Sequence, residues 1–169
     1  MQEKIVTSAI ELIYKKGFAQ FSVRNLAKYM GVSTRPLYYY YVNLEKLYES
    51  IAHHVLGVLQ TYVEKSYTEQ TFLNAGIGYV LFAKELPDHY AILMIREFWR
   101  GQSFESNDVD NFMKSKASEK EKEMYGIMKT YTLGMALIAS AQPELYPLER
   151  IISEQTNLMI ALATSYDKK

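Results

Sequence analysis

The stretch from Ser22 to Leu47, SVRNLAKYMGVSTRPLYYYYVNLEKL, constrains this chain more than any other. Val23, Leu26, Ala27 and Met30 recur at i, i+3, i+4 and i+7, which is one face of a helix. Ser22 stands just before that face, where its side-chain oxygen can accept from an orphan backbone N–H. Gly31 follows the last apolar position, where a left-handed residue ends a helix at no steric cost to glycine. Val32 plugs the corner, Ser33 offers a second N-cap, and Leu37 is the apolar anchor of a second short helix. Helix, glycine turn and helix make a helix-turn-helix, a unit whose second helix fits the major groove of DNA.

With Leu37 inward, the second helix leaves Thr34, Arg35, Tyr38 and Tyr39 outside. Arg35 can bond the O6 and N7 of a guanine together, and Thr34 can meet a base edge or a thymine methyl. Tyrosine hydroxyls can donate to phosphate oxygens, which sets orientation and reads no sequence. Pro36 falls in the first turn, where no intrahelical N–H is lost. The plainer reading, that Tyr38 to Tyr41 only cover a small core, suits Tyr41, just past the second helix. For the rest, the turn, the anchor and the polar face agree on a recognition helix.

These residues carry a family resemblance. The run from Ile5 to Leu47 resembles the DNA-binding domain of tetracycline-repressor-type (TetR family) transcriptional regulators. The matching pieces are an amphipathic first helix ending in KKGF (Lys15 to Phe18), SVRNLA (Ser22 to Ala27), GVS (Gly31 to Ser33), LYYYY (Leu37 to Tyr41) and EKL (Glu45 to Leu47). The resemblance implies an all-α chain of about nine helices. A helix-turn-helix head would occupy residues 1–47, and a helical body for effector binding and dimerisation residues 48–169. The resemblance places DNA contacts at Arg24, Thr34, Arg35, Tyr38 and Tyr39, and the flanking Ser33 and Pro36 join the candidate set. Leu44 departs from the pattern: the family commonly has a lysine there, at the start of the fourth helix, for a phosphate. Lys46, on a different face, is the candidate replacement.

The chain has 169 residues, enough for one compact unit or two closely packed small domains with a real core. Hydrophobic residues make up 49% and charged residues 22%, an ordinary globular balance. The absence of cysteine excludes disulfides, thiolate chemistry and zinc–cysteine sites. The N-terminus leads straight into an amphipathic helix with Glu3 and Glu11, unlike a signal peptide. No apolar run approaches the roughly 20 residues of a membrane span, so the expected location is the cytoplasm. Net charge is zero but unevenly spread: residues 1–50 hold seven Lys or Arg against four acids, and the remainder twelve against fifteen. A head of +3 and a body of −3 suit a protein that offers one end to a polyanion.

The first helix is expected over 2–16, with Ile5, Ala9, Leu12 and Ile13 inward, Gly17 as its stop, and Phe18 and Phe21 closing a three-helix core. Asn43 caps a long fourth helix to about Lys65, a natural element for transmitting movement to the head. His53 and His54 on it point about 100° apart, so they cannot chelate one metal from one face and read as surface or boundary histidines. The fifth helix, about 69–84, carries Phe72, Ala75, Gly76, Tyr79, Val80 and Ala83 on one face, with Gly76 and Gly78 marking close packing or room for a ligand. The sixth, 88–100, carries Ile92, Ile95, Phe98 and Trp99, with Arg96 and Arg100 along its side. A short helix is expected over 108–114. Ser118 with Glu121 makes a capping box that starts a helix to about Ala141. That helix has Met124, Ile127, Met128, Tyr131, Met135 and Ile138 as its main apolar row, broadened by Leu133 and Leu137. The last helix, 148–165, points Ile151, Ile152, Leu158, Met159 and Leu162 inward.

By the same resemblance, the helices over 118–141 and 148–165 build a four-helix-bundle homodimer that spaces two recognition helices one DNA turn apart. Methionine fills irregular space, and Tyr79, Phe82, Met94, Met124, Phe98, Trp99, Met128, Tyr131 and Met135 could line a pocket for a small apolar or aromatic effector. The resemblance implies an inducer site among these middle helices, and plain core is an equal reading of each residue. Catalysis has no support: the chain lacks a phosphate-cradling loop, zinc spacing or nucleophile elbow, and Asp88–His89 and Arg96–Glu97 are neighbours, not convergent sites. The expectation is a regulator of palindromic double-stranded DNA, without metal or cofactor. The rival is a helical dimer that grips a protein or lipid-like partner and binds DNA weakly.

Overall fold

Apolar spacing of three and four residues dominates the chain, and all described regular structure is helical. The computed structural model describes the backbone of residues 1–95 and 119–167, with the side chains of 1–95 and 123–165. Eight α-helices lie in that range: α1 (Gln2–Lys16), α2 (Val23–Met30), α3 (Arg35–Tyr40), α4 (Leu44–Val63), α5 (Thr71–Glu85), α6 (Pro87–Met94), α7 (Glu119–Ala141) and α8 (Leu148–Asp167). Short 3₁₀ turns occupy Phe18–Gln20 and Pro143–Leu145. The helix expected over 108–114, the Ser118–Glu121 capping box, and Arg96, Phe98, Trp99 and Arg100 lie outside the described residues.

The described chain divides into two compact units. The first holds 1–58 and 88–95, the second 59–87 and 119–167, with the division between Val58 and Leu59 on α4. No described helix is long and apolar enough to cross a membrane.

In the first unit α1 buries Ile5, Val6, Ala9, Ile10, Leu12 and Ile13, a broader face than the four positions expected. It packs on α2, which buries Leu26 and Ala27. Gly17 ends α1 at φ 81°, ψ 154°, a backbone region open in effect only to glycine, with its N–H on the Ile13 carbonyl at 2.8 Å. Phe18 and Phe21 both lean on Tyr48 of α4, with ring centroids 5.6 and 5.7 Å away. Outside the core, Tyr29 of α2 donates to Glu11 of α1 at 2.6 Å, and Lys15 donates to the Tyr29 hydroxyl at 2.8 Å. Asn43 caps α4, its Oδ1 accepting from the Lys46 N–H at 2.9 Å.

The second unit is built by α5, α7 and α8 packing on one another. α5 buries Leu73, Asn74, Ile77, Gly78, Val80, Leu81, Phe82 and Ala83. Phe72, Ala75, Gly76 and Tyr79, expected inward, are only half-buried. The reason is that α5 is covered by two helices and by the end of α4, so no single face defines its inside. Gly78 lies against α4: a Cβ there would strike the Tyr62 carbonyl and come within 2.9 Å of the Val63 Cα. At Gly76 a Cβ would meet only the side chains of Gln155 and Thr132, at 3.4 Å. Asn74 holds the turn before α5, its Oδ1 accepting from the N–H groups of Tyr67 and Thr68 at 3.1 and 2.8 Å, and its Nδ2 donating to the Thr68 carbonyl at 2.9 Å.

α7 buries Met124, Met128, Thr132, Met135, Ala136 and Ala139. Three members of the expected row, Ile127, Tyr131 and Ile138, are instead 45%, 39% and 43% exposed, and Leu133 and Leu137 are also outside. Small residues (Thr132, Ala136, Ala139) let α7 approach its neighbours closely, which selects them over the bulkier row one step round the helix. On α8, Ile151 is buried as expected, while Ile152, Leu158, Met159 and Leu162 are half-buried. Gln155, absent from the expected face, is fully buried and donates through Nε2 to Thr132 Oγ1 at 2.8 Å.

A polar clamp joins α7 to α8. The Tyr131 hydroxyl donates to Glu154 Oε2 at 2.6 Å, and Arg150 Nε donates to Glu154 Oε1 at 2.6 Å. The Arg150 guanidinium lies 4.5 Å over the Tyr146 ring. Donation to Glu154, aided by burial, pushes the Tyr131 hydroxyl up to about 12. The hydroxyl of Tyr131 and then the guanidinium of Arg150 hold Glu154 below the usual carboxylate value.

Two outcomes follow for stability. Gly78→Ala costs about 1–3 kcal/mol, the range of forced overpacking, because backbone must move. Gly76→Ala is tolerated and gains up to about 1 kcal/mol of helix propensity; urea unfolding of both variants checks the contrast. Folding lowers Glu154 below 4.5, so its pairing stabilises above the unfolded value and is lost as pH falls through the folded one. Glu154→Gln therefore lowers the melting temperature near neutral pH and flattens its acid dependence, as thermal melts across pH 7 to 3 would record.

Candidate nucleic-acid interface

The turn between α2 and α3 is set by local chemistry. Ser22 Oγ accepts from the Asn25 N–H at 3.1 Å and caps α2 as expected. Gly31 is left-handed at φ 68°, ψ 30°. Its N–H reaches the Lys28 carbonyl at 3.2 Å and the Val32 N–H the Ala27 carbonyl at 3.0 Å, the paired bonds of a Schellman motif.

The start of α3 differs from expectation. Thr34, not Ser33, is the N-cap residue, and its side chain makes no cap bond. A side-chain cap at Ser33 would serve the N–H of 35 or 36 and one at Thr34 that of 36 or 37, and in either case Pro36 removes one of the two donors. Leu37 is 2% exposed and is the only buried residue of α3. Around it, Arg35 is exposed, Tyr38 is 55% and Tyr39 81% exposed. Ser33 is exposed, and Thr34 and Pro36 are half-buried. Arg24 is exposed on α2. Tyr41 turns inward at 5% exposure, as the plainer reading required, and its hydroxyl is buried without a hydrogen-bond partner.

α3 and its cap thus bring Thr34, Arg35, Tyr38 and Tyr39 together, one guanidinium among three hydroxyls. Lys46 stands apart, its Nζ 2.9 and 2.7 Å from the two Glu49 carboxylate oxygens. That pair is exposed, so it binds weakly in water, yet it offsets the charge a phosphate would seek. Leu44 is half-buried and supplies no charge.

Three exposed residues escaped the sequence reading. Tyr40 stands edge-on to Tyr39 with centroids 5.1 Å apart and is 40% exposed. It follows Leu37 by three residues, so periodicity turns it inward, whereas α3 ends before a third turn could cover it. Val42, beyond the helix, is 84% exposed. Lys28 is exposed one turn beyond Arg24 on α2, and the i, i+4 spacing of two bases was the available signal.

The candidate effector residues are dispersed. In the second unit, Phe82 is fully buried edge-on to Tyr62, Met128 and Met135 are buried, Tyr79 is half-buried, and Tyr131 is exposed and bonded to Glu154. Met124 is also buried there. Met94 belongs to the first unit and is 55% exposed. No group of three His, Asp or Glu among the described residues could hold a metal ion.

An all-α chain whose first fifty residues form a capped, glycine-turned helix-turn-helix is of the class of helix-turn-helix proteins. Residues 5–51 match the family described as bacterial regulatory proteins, tetR family. The match covers the helix-turn-helix head and the first turns of α4, and does not extend over the rest of the chain. A curated relative, an uncharacterized HTH-type transcriptional regulator of Haemophilus influenzae, is 30% identical over 69 residues, 41% of this chain. The match spans 37% of that relative's length. Solved structures share the fold over nearly the whole chain. A TetR-family transcriptional regulator from Haemophilus influenzae has a TM-score of 0.61 at 20% identity, covering 91% of this chain and 93% of its own. A transcriptional regulator from Rhodococcus sp. gives 0.56 at 15%, covering 96% and 94%. A TetR-family regulator from Streptomyces coelicolor gives 0.53 at 19%, covering 98% and 93%.

Since the Tyr41 hydroxyl is buried unpaired, Tyr41→Phe leaves stability unchanged or raises it by up to about 1 kcal/mol. A denaturant midpoint lower than that of the parent would show that the hydroxyl is satisfied in solution.

Proposed function

We propose that this protein is a dimeric, sequence-specific DNA-binding transcriptional regulator, a repressor released by a small apolar or aromatic effector. The observation that carries the reading is the surface of α3. Arg35, Tyr38 and Tyr39 are exposed around one buried anchor, Leu37, on a helix whose entry is held by a Schellman turn. Arg35 reads a guanine, Thr34 meets a neighbouring base, and Tyr38 and Tyr39 hold phosphates, with Arg24 at the start of α2 and Ser33 and Pro36 beside the backbone. Lys46 contributes once its partner Glu49 is out-competed by phosphate.

Support for a dimer comes from α7. Ile127, Leu137 and Ile138 are 45%, 57% and 43% exposed, with Gly134 between them. A stripe of branched apolar side chains is an unstable surface for a monomer in water. The outer line of α8 (Ser153, Asn157, Ile160, Thr164) is exposed and mostly small, which suits close helix approach. A twofold bundle of 118–141 and 148–165 from each subunit covers both and spaces the α3 helices one DNA turn, about 34 Å, apart. Effector binding in the second unit, among Tyr79, Phe82, Met128, Tyr131 and Met135, then shifts the population towards a form with mis-spaced heads. The coupling of such shifts is about 1–3 kcal/mol. The second reading, a dimer that grips a protein or lipid-like partner and binds DNA weakly, draws on Leu44 and on the engagement of Lys46 by Glu49.

Gel shifts at two salt concentrations separate the readings, because phosphate-dominated binding to a palindrome weakens steeply with salt. Arg35→Ala relaxes base preference by about 1–3 kcal/mol at one position. Tyr38→Phe weakens binding to all sequences alike; an unchanged preferred site after Arg35→Ala defeats the assignment. Sedimentation at micromolar concentration gives a dimer for the parent and a monomer for Leu137→Glu, whereas a monomeric parent rules out the bundle.

A further inference from the structure

We propose that His54, His89 and Asp88 form an acid-released latch that holds the first turn of α6 against α4. The two imidazoles come from different helices, with ring centroids 5.4 Å apart and planes tilted by 41°. Asp88 fixes His89: its Oδ1 accepts from the His89 backbone N–H at 2.8 Å and lies 2.8 Å from His89 Nδ1. The side chains of His89 and Asp88 are 12% and 27% exposed, and His54 is half-buried, so the cluster is shielded from bulk water.

The groups facing this cluster come from three helices and from Met1, which lines the same hollow as Glu3, His53 and His54. Asp88 on α6 and Glu3 on α1 favour a proton on His54, and His53 adjoins it on α4. Glu11 on α1 feels the charge of Asp88. Against them, burial first and His89 second hold His54 below its ordinary 6.5. Near neutral pH the contact is therefore made by an uncharged His54 ring. A proton on His54 places a cation in a shielded spot beside the His89 ring, where salt screens it poorly.

The least costly relief is for the first turn of α6 to leave α4, since α6 is only eight residues long and carries both His89 and Asp88. The sign agrees. A histidine whose value is lowered in the closed state resists protonation there, so proton uptake favours the open state as pH falls below about 6.5. Acid thus acts on α6 with no ligand, and the inference does not depend on the DNA-binding reading. Where that reading also holds, pH becomes a second input to the regulator.

Hydrogen exchange of the full chain without DNA, at pH 7.5 and pH 5.5 and corrected for intrinsic rates, tests the latch. Protection of the amides of residues 91–94 is expected to fall on acidification, by up to about tenfold for one histidine, while that of residues 9–13 in α1 holds. His54→Gln is expected to abolish the fall and His89→Gln to lessen it, each variant being checked for helical content. Should one variant fail to fold, the other decides. Equal protection of 91–94 at the two pH values in the parent, or a fall that is undiminished in His54→Gln or in His89→Gln, overturns the proposal, whatever the protein does with DNA.

Discussion

Leu37 is the contact on which the rest of the head depends. α3 has six residues, far too few to persist on helix propensity alone. What holds it is one side chain, 2% exposed. Burying a leucine stabilises by about 1.5–3 kcal/mol, more than any hydrogen bond within α3 contributes. The Gly31 turn sets the entry and Tyr41, buried just past the helix, sets the exit. Rotation of α3 about its axis is thereby limited, and that rotation decides whether Arg35 and Tyr38 face outward together. The polar surface is thus a consequence of an apolar contact.

The second unit is organised by close approach. Gly78 lets the end of α4 lie against α5, and Thr132, Ala136 and Ala139 let α7 settle among its neighbours. Close packing on that side leaves the larger aliphatic residues of α7 on the other. The exposed stripe is the counterpart of the tight core and not a fault in it. Polar groups inside the unit are placed to match: Asn74 closes a turn, and Gln155 meets Thr132. A buried amide without a partner costs about 1–3 kcal/mol, so such contacts select one register of the helices.

Electrostatics act locally in this molecule. The chain is neutral overall, and its ionic contacts are short-range staples: Tyr29 with Glu11 and Lys15, Glu154 with Tyr131 and Arg150, Lys46 with Glu49. Most are exposed and contribute little to folding. The last of these ties up a base in the first turn of α4, so local pairing modulates the positive head that composition alone suggested.

The helices of the head could be read from residue order, because their signals are local. Ser22, Gly31 and Asn43 act on neighbours three or four positions away, and the structure has each at its expected cap or turn. α1 and α2 ran where spacing placed them, and the outward set of α3 followed from one inward leucine. Tertiary packing decided the rest. Thr34 displaced Ser33 at the start of α3, without a side-chain cap bond. The inner faces of α5 and α7 were legible only in part: Val80, Ala83, Met124, Met128 and Met135 are buried as expected, but a helix covered on several sides loses the single-face period on which such reading depends. Gln155 and Asn74 went unnoticed because a polar side chain becomes a core residue only when its partner arrives from a distant part of the chain or from a turn. Local hydrogen bonds and steric limits are written in residue order; which apolar face finds a partner depends on helices meeting in space.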